Sequence, residues 1–350
     1  MGLSDAISGD YSERSYLSST ESARYLGITV EKLHSLVDSG SIEAKVSASG
    51  QMRFSLTDLS AYETSLPRSP ERRAGKVGQV TEINVRGTLQ KIVCSGSQSM
   101  RELESDSVNL MVTSPPYFDA KMYSREEVEG ELGSIHDVDS WFVHIAAVWR
   151  EVHRTLQPGR KAFINIMNLP VRLSSGGFKS LNLVGRTIDV MEDAGFVFKR
   201  DIVWHKTNSV RAHFGTYPYP GGILLNNSHE FILEFEKPAP RGYRKYAHLT
   251  LEQKEHSRID RDFWLLLKNS DVWTMHPEGS GDRRRHVAPF PLELPSRIIR
   301  AYSYEGETVL DPFLGSGTSL VAAARLGRNG VGYEIVGEIA LGAISAVSSA

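Results

Sequence analysis

Two short runs carry residue types that could do chemistry together. The first is DPFLGSGT, with Asp311, Pro312, Phe313, Gly315, Ser316, Gly317 and Thr318. It follows an apolar strand-like run and opens a helix-like one, SLVAAARL. Glycines let the backbone pass close to a ligand and aim N–H groups at it beside a helix N-terminus. Doubly wound sheets hold nucleotides in this way at the carboxyl ends of their strands. The run is neither a phosphate loop, since no Lys precedes Thr318, nor GxGxxG. Glu334 follows in VGYEI, about twenty residues on, where such a site puts a carboxylate to accept from ribose hydroxyls. Taken singly, the loop could be a tight turn and Glu334 a solvated charge.

The second run is TSPPY, with Ser114, Pro115, Pro116 and Tyr117. Consecutive prolines leave a loop rigid and short of N–H donors. Its carbonyls then stand as acceptors beside a Ser hydroxyl and an aromatic face. That set suits an exocyclic amino group on a flat base, with the amine donating to Ser114 and the ring stacking on Tyr117. As a bare pattern, SPPY also suits a turn or a proline-rich ligand. Its place after a buried strand, in a chain that also holds DPFLGSGT, favours the chemical reading.

The elements that must position these runs can be read from periodicity. Strands are expected at 108–113, 161–167, within FVFKRDIVWHK, at 231–237, at 307–311 and at GVGYEI. Helices are expected at 141–156, stopped by Pro158-Gly159, at 181–194, ended by Gly195, and at 318–326. Apolar strands alternating with helices predict a parallel sheet covered on both faces. Two long polar stretches, 207–228 and 238–289, break the alternation. Loops of that length in a compact domain are usually functional.

Three zones precede or contain these elements. Residues through about 14 are polar and rich in Ser and Gly. Residues 15–65 form a small unit, 66–79 a linker with Pro67, Pro70 and four cations, and 80–350 one large domain. In the small unit, Thr20 and Gly27 bound a helix over 21–26, and Thr29 and Gly40 bound a second over 30–39. IEAKV and QMRFS then pair as a hairpin. This layout resembles the excisionase/MerR-like winged helix-turn-helix, with Leu26-Gly27, Leu33, Gly40, Arg53-Phe54 and Asp58-Leu59 in the positions of its core and wing. The resemblance implies DNA contact through Lys32 and His34 on the second helix and Arg53 on the wing. The acidic neighbours Glu31 and Asp38 leave a protein-interaction role open.

Composition sets outer bounds. The chain has 350 residues, a formal net charge of −2, 40% hydrophobic and 23% charged residues. This is the balance of a folded globular protein, so any basic surface must be local. One cysteine, Cys94, excludes an intramolecular disulfide and a multi-cysteine zinc site, and no metal is expected. It suits a reducing compartment, and a cytoplasmic, prokaryotic location is expected. No apolar run reaches a membrane span. MGLSDAISGD lacks a signal-peptide pattern, and Ala6 stands where a myristoylation motif wants Ser or Thr.

From about 80 to 335, the motifs taken together resemble the amino-group DNA methyltransferases that use S-adenosylmethionine, in the β-type order with the catalytic motif first. TSPPY matches the catalytic tetrad, DPFLGSGTS the cofactor loop and GYEI the ribose segment. HVAPFPLELPSRII matches a segment that packs on the cofactor through Phe290-Pro291, while HEFILEFEK and SDVW fall in family order. Where the family often has Gly-Asp against the cofactor adenine, this chain has Cys94-Ser95-Gly96-Ser97, which gives the contact to Ser97, a weaker partner than a carboxylate.

The resemblance implies a doubly wound Rossmann-like α/β sheet in circularly permuted order. It implies S-adenosylmethionine as cofactor and double-stranded DNA as partner, in a monomer or dimer, with a companion restriction endonuclease a further partner. Cys94 is not in the Pro-Cys setting of cytosine-C5 enzymes, which excludes a covalent route. The target base is flipped from the duplex, and transfer rests on positioning and electrostatics. In the family, Ser at the first tetrad position goes mainly with cytosine N4 and Asp with adenine N6. Ser114 therefore points to cytosine N4, with adenine N6 the alternative. Base recognition is expected in an insertion at 238–285, through Arg241, Arg244, Lys245, Arg283, Arg284 and Arg285, and in the 207–228 loop through Arg211. A DNA-binding regulator with an inactive methyltransferase domain, and an RNA or protein methyltransferase, are the competing readings.

Overall fold

The computed structural model describes residues 16–19, 22–23, 30–46, 52–55, 58–59, 62, 78–116, 118, 130–135, 137–172, 178–207, 225, 227–277 and 290–350. The chain divides into two compact units, Met1–Arg73 and Ala74–Ala350.

In the first unit, β1 (Tyr16–Ser18) precedes helix α1 (Val30–Asp38) and strands β2 (Lys45–Val46) and β3 (Met52–Ser55). The expected pairing of IEAKV with QMRFS is present, with Lys45 opposite Arg53 and Val46 opposite Met52. β1, which the sequence reading did not contain, adds to the other side of β3. Leu33, Phe54 and Leu59 are fully buried and form the centre of a small core with Ala23 and Ile42. Gly40, at φ +70°, takes the left-handed turn that ends α1. The expected first helix, 21–26, lies mostly outside the described residues.

The second unit begins with a hairpin, β4 (Gln79–Val85) and β5 (Thr88–Cys94). Its two-residue turn holds Arg86 and Gly87 at φ +52° and +74°. Positive φ at both positions matches the right-handed twist of the flanking strands. Strand β6 (Val108–Thr113) follows, buried at every residue because sheet neighbours and helices cover it on all sides. Helix α2 (Val138–Thr155) starts where Asp137 accepts from the Ser140 N–H at 2.7 Å. It buries Trp141, Ile145, Val148, Trp149 and Val152 along one face.

β7 (Leu156–Ile166) begins directly after α2. Pro158-Gly159 therefore does not stop the helix as expected. It lies inside the strand, with Gly159 at φ +73° and the pairing with β6 shifting register there. The extra residues form an irregularity that bends the start of the strand. A small hairpin follows, β8 (Leu169–Arg172) with β9 (Phe178–Leu181), then helix α3 (Leu183–Asp193) ended by Gly195. β10 (Val197–Lys206), β11 (His229–Glu236), α4 (Leu251–His256), α5 (Arg261–Asn269) and β12 (Val272–Met275) come next. The chain closes with α6 (Glu293–Tyr302), β13 (Thr308–Asp311), α7 (Thr318–Arg325), β14 (Asn329–Tyr333) and α8 (Gly337–Ser348).

These strands build one nine-stranded sheet in the order β12-β10-β11-β7-β6-β13-β14-β5-β4. It is mixed rather than parallel. β5, β14, β13, β6 and β7 are parallel neighbours. β11 runs against both β7 and β10, and β4 against β5. The hairpin turn explains β4, and β11 is the antiparallel neighbour of β10, the strand that precedes it in sequence. Alternate strand residues serve the two faces. Met111, Ala162 and Ile164 pack under α2 and α3, whereas Leu110, Val112 and Phe163 pack under α6 and α7. Each large apolar side chain so buried contributes roughly 1.5–3 kcal/mol. Among the described residues, no helix is long and apolar enough to cross a membrane.

Candidate active site

The strand directions put both motifs on one edge. β13 ends at Asp311, β6 at Thr113 and β14 at Tyr333, and the three run the same way, with β13 between the other two. The Gly-rich loop, the SPP loop and Glu334 therefore leave the sheet side by side. β5 ends there too, delivering Ser95, Gly96 and Ser97.

Beneath the loops lies a buried carboxylate. Asp311 is 1% exposed. One oxygen accepts from the Thr113 hydroxyl at 2.6 Å and from the Phe313 N–H at 3.0 Å. The other accepts from the Ser319 hydroxyl at the first turn of α7. Burial nonetheless pushes the Asp311 carboxyl up to about 6, against the three donors that lower it. Asp311 is thus the knot that joins β13, β6 and α7.

Above it, a cleft opens along the strand ends. Ser97, Ser114, Pro116, Pro312, Phe313, Gly315 and Glu334 all line it. Glu334 accepts from the Gly315 N–H at 3.0 Å and from the Val336 N–H at 2.9 Å, one on each oxygen. It thereby holds the Gly loop against the end of β14, and each oxygen keeps a second lone pair for a ligand. Burial raises its carboxyl to about 7, helped by the nearby Glu131 and Asp311 charges. Leu314 N–H donates to the Tyr333 carbonyl at 2.8 Å and Glu334 N–H to the Val93 carbonyl at 3.0 Å, so three loops are pinned together.

The glycines have a steric reason. A methyl group at Gly332 would meet the Leu314 side chain at 2.7 Å. Gly317, at φ +89°, caps α7 in a left-handed conformation, with the Ala343 backbone 3.3 Å from where a Cβ would stand. Close packing of α8 against the loop leaves room only for hydrogen there.

On the other side of Thr113, the Ser114 hydroxyl donates to the Asn165 carbonyl at 3.2 Å. Pro115 is buried and Pro116 half-buried, which holds the SPP loop in place. The expected cofactor residues Ser316, Gly317 and Thr318 do not line the cleft. Ser316 and Thr318 share a hydroxyl contact at 3.1 Å at the start of α7. Phe290 packs in the core with Val112, Phe163 and Trp273 rather than in the cleft, and the Pro291 carbonyl, just before α6, accepts from the Leu294 N–H at 3.0 Å. Tyr117, Arg211, Arg283, Arg284 and Arg285 lie outside the described residues.

Sequence reasoning missed the far wall of the cleft: Gln98, Gly130, Glu131, Leu132 and Gly133. These follow a stretch with no periodic signal, although the acidic Gly-Glu-Leu-Gly run was a usable cue. Tyr333, Ile335, Val336 and Ile339 complete the wall beside Glu334.

The basic residues of the 238–285 segment sit elsewhere than expected. β11 runs away from the motif-bearing edge, so the chain after Glu236 emerges at the opposite one. There Lys237 N–H donates to the Arg160 carbonyl, Gly159 N–H to the Lys237 carbonyl, and Lys245 Nζ to the Gly159 carbonyl at 3.4 Å. Arg241 and Arg244 lie in the same stretch and are exposed. Strand direction puts Arg241, Arg244 and Lys245 at the edge opposite the two motifs. β12 carries the chain back, parallel to β10, and His276 Nδ1 meets the Thr207 hydroxyl at 2.6 Å at the motif-bearing edge. In the small unit, Lys32 is exposed, Arg53 half-buried on β3, and His34 Nε2 lies 3.3 Å from the Ser19 hydroxyl.

Comparison with known proteins places this geometry. A type II methyltransferase of Methanothermobacter thermautotrophicus, M.MthZI, is 34% identical over 267 residues, covering 71% of this chain and 73% of the relative. M.MjaI, a type II methyltransferase of Methanocaldococcus jannaschii, is 33% identical over 277 residues, covering 71% and 88%. A putative DNA modification methylase of Thermus thermophilus, solved in complex with S-adenosyl-L-methionine, superposes with a TM-score of 0.58 at 31% identity, over 74% of this chain and 93% of that one. The family model for DNA methylases that act on N6 or N4 matches residues 108–344, the stretch from β6 through α8 that builds both motifs and the cleft, and the chain belongs to this DNA methylase family.

Proposed function

We propose that the protein transfers a methyl group from S-adenosylmethionine to the exocyclic N4 of cytosine in duplex DNA. The observation that carries this reading is the shared cleft. Ser114 and Pro116 of one motif line the same space as Gly315 and Glu334 of the other. The donor set fits the cofactor, with two carboxylate oxygens for ribose hydroxyls at Glu334, a hydroxyl at Ser97 for an adenine amine, and a Gly-lined wall admitting the chain close by. S-adenosylmethionine supplies an electrophilic methyl group on a sulfonium when bound.

The protein's own groups prepare the acceptor. The exocyclic amine of a base is a poor nucleophile because its lone pair is delocalised into the ring. The Ser114 hydroxyl donates a hydrogen bond to the Asn165 carbonyl, which leaves its oxygen lone pairs as acceptors. That oxygen and the carbonyls of the SPP loop take the amine hydrogens and favour a tetrahedral nitrogen with its lone pair free. The two consecutive prolines, Pro115 buried and Pro116 half-buried, fix these acceptors before the base arrives, so little reorganisation is left to the reaction. Ser rather than Asp at the first tetrad position supports cytosine N4 over adenine N6.

The order of strands supports a circularly permuted sheet, since β13, which bears the cofactor loop, is central in space but late in sequence. Residues 208–224 follow β10 and residues 278–289 follow β12, two strands that end at the motif-bearing edge, which supports a role for Arg211 and Arg283, Arg284 and Arg285 in reading the target. The small unit, as a winged helix-turn-helix, adds DNA contact through Lys32 and Arg53. A companion restriction endonuclease fits the same role. Incubation with methyl-labelled S-adenosylmethionine and mixed-sequence duplex DNA, digestion to nucleosides and mass spectrometry tests the reading. N4-methylcytosine is expected. N6-methyladenine would retain the mechanism and overturn the base, and label on RNA or protein alone would overturn the substrate class.

A further inference from the structure

A row of polar side chains crosses the motif-bearing edge beside Ser114, on three strands that contribute nothing to the cleft. Lys206 ends β10, Glu230 begins β11 and Asn165 stands near the end of β7. Lys206 Nζ lies 2.6 Å from Glu230 Oε1. Asn165 Nδ2 donates to Glu230 Oε2 at 2.6 Å. Asn165 is 2% exposed and Glu230 6%. The Asn165 carbonyl accepts the Ser114 proton.

The row is costly as a structural device. Glu230 fixes which way the Asn165 amide turns, because only its nitrogen can donate to a carboxylate. Asn165 Oδ1 is then buried with no hydrogen-bond partner among the described residues. Buried acceptors left in this state are rare and call for an explanation. An apolar residue would fill the same place beside Phe163 and Ile232 without that cost. What the row does supply is a fixed orientation at one point of the backbone, the residue whose carbonyl sets the direction of the Ser114 hydroxyl.

We propose that Lys206, Glu230 and Asn165 are positioning residues for Ser114. The ammonium holds the carboxylate, the carboxylate clamps the Asn165 amide, and the clamped residue keeps its carbonyl aimed at the Ser114 proton. The Ser114 lone pairs then face the target amine. This rests on the amine-acceptor role given to Ser114 above. Misplacement of a reacting group by about 1 Å can cost about a hundredfold in rate.

The test is a double-mutant cycle in the full chain. The single-turnover rate of methyl transfer to mixed-sequence duplex DNA is measured with labelled S-adenosylmethionine, alongside cofactor affinity by calorimetry and the melting temperature. Glu230→Gln is expected to lower the rate roughly 10- to 100-fold with cofactor affinity unchanged. In a Ser114→Ala background, Glu230→Gln is expected to cost nothing further, because the group it aims is gone. Effects that multiply would overturn the proposal, as would an unchanged rate in Glu230→Gln. Should that variant not fold, Lys206→Arg and Lys206→Met carry the test. Arg keeps the ion pair and is expected to retain most of the rate, Met to lose it, and equal losses would overturn the proposal. A full rate in Ser114→Ala alone would instead overturn the role of Ser114 itself.

Discussion

The Thr113 hydroxyl donates to the Asp311 carboxylate across 2.6 Å, joining the last residues of two neighbouring strands. Thr113 opens the SPP motif and Asp311 opens the Gly-rich loop. The two motifs are 198 positions apart in sequence and one hydrogen bond apart in space. The same carboxylate reaches Ser319, so the register between the two loops and the pitch of α7 are set at a single buried group.

Thr113→Val keeps the shape and β-branching and removes that donor. It is expected to destabilise the fold by about 1–3 kcal/mol, because the buried Asp311 carboxyl loses a partner. Urea unfolding monitored by circular dichroism checks this. A midpoint equal to that of the parent protein would show that the bond does not hold the strand ends together.

Ser114→Ala leaves the cleft and its carboxylates in place. Cofactor affinity is expected to stay at the parent level while the methyl-transfer rate falls roughly 100-fold or more, the scale for losing one preorganised polar group at a reacting centre. Calorimetry and single-turnover labelling separate the two quantities. Loss of both together would mean that Ser114 shapes the cofactor site instead.

Glu334 gives a pH signature. Its folded value of about 7 stands above the ordinary carboxylate range because it is buried. A raised carboxyl holds its proton longer in the folded than in the unfolded state. Its contribution to stability is therefore greatest in acid and is lost as pH rises towards 7. Cofactor binding runs the opposite way, since the ionised form accepts from two hydroxyls. Affinity is expected to rise with pH up to about 7, by at most about tenfold per unit, and then level off. Glu334→Gln should weaken binding and flatten the profile. A parent profile with no pH dependence would remove Glu334 from ribose recognition.

Gly317→Ala places a methyl group in a left-handed conformation against the Ala343 backbone. A loss of about 1–3 kcal/mol is expected, read as a lower melting temperature. Weaker cofactor binding should accompany it, because Gly315 sits in the same turn.

Removal of residues 1–73 is expected to leave the methylase fold and cofactor binding intact. DNA affinity, measured by fluorescence anisotropy at fixed salt, should fall by roughly tenfold, with a shallower salt dependence as phosphate contacts are lost. Unchanged affinity and slope would exclude a DNA-binding role for the small unit.

Much of this architecture is legible in the residues alone. The strands ending in Thr113, Asp311 and Tyr333 announce themselves as apolar runs, and their motifs can be ordered by the chemistry each serves. The β4–β5 hairpin is not legible, because Arg86-Gly87 is a weaker turn signal than Asn-Gly. The direction of β11 is hidden too, since periodicity records burial and is silent on strand polarity. That single direction is what carries Arg241, Arg244 and Lys245 to the edge opposite the two motifs. Glu131 and Gly133 escape notice because a wall without a repeat leaves no pattern. Sequence does not reveal that Asp311 is buried and accepts from Thr113, Ser319 and Phe313.

The reversal of β11 divides the sheet into two halves. The cofactor cleft draws on the ends of β13, β14 and β5, while β10, β11 and β12 form the far flank of the same sheet. β6 and β7 lie between as a fixed seam. A substitution on that flank is therefore expected to leave in place the half that handles the methyl donor.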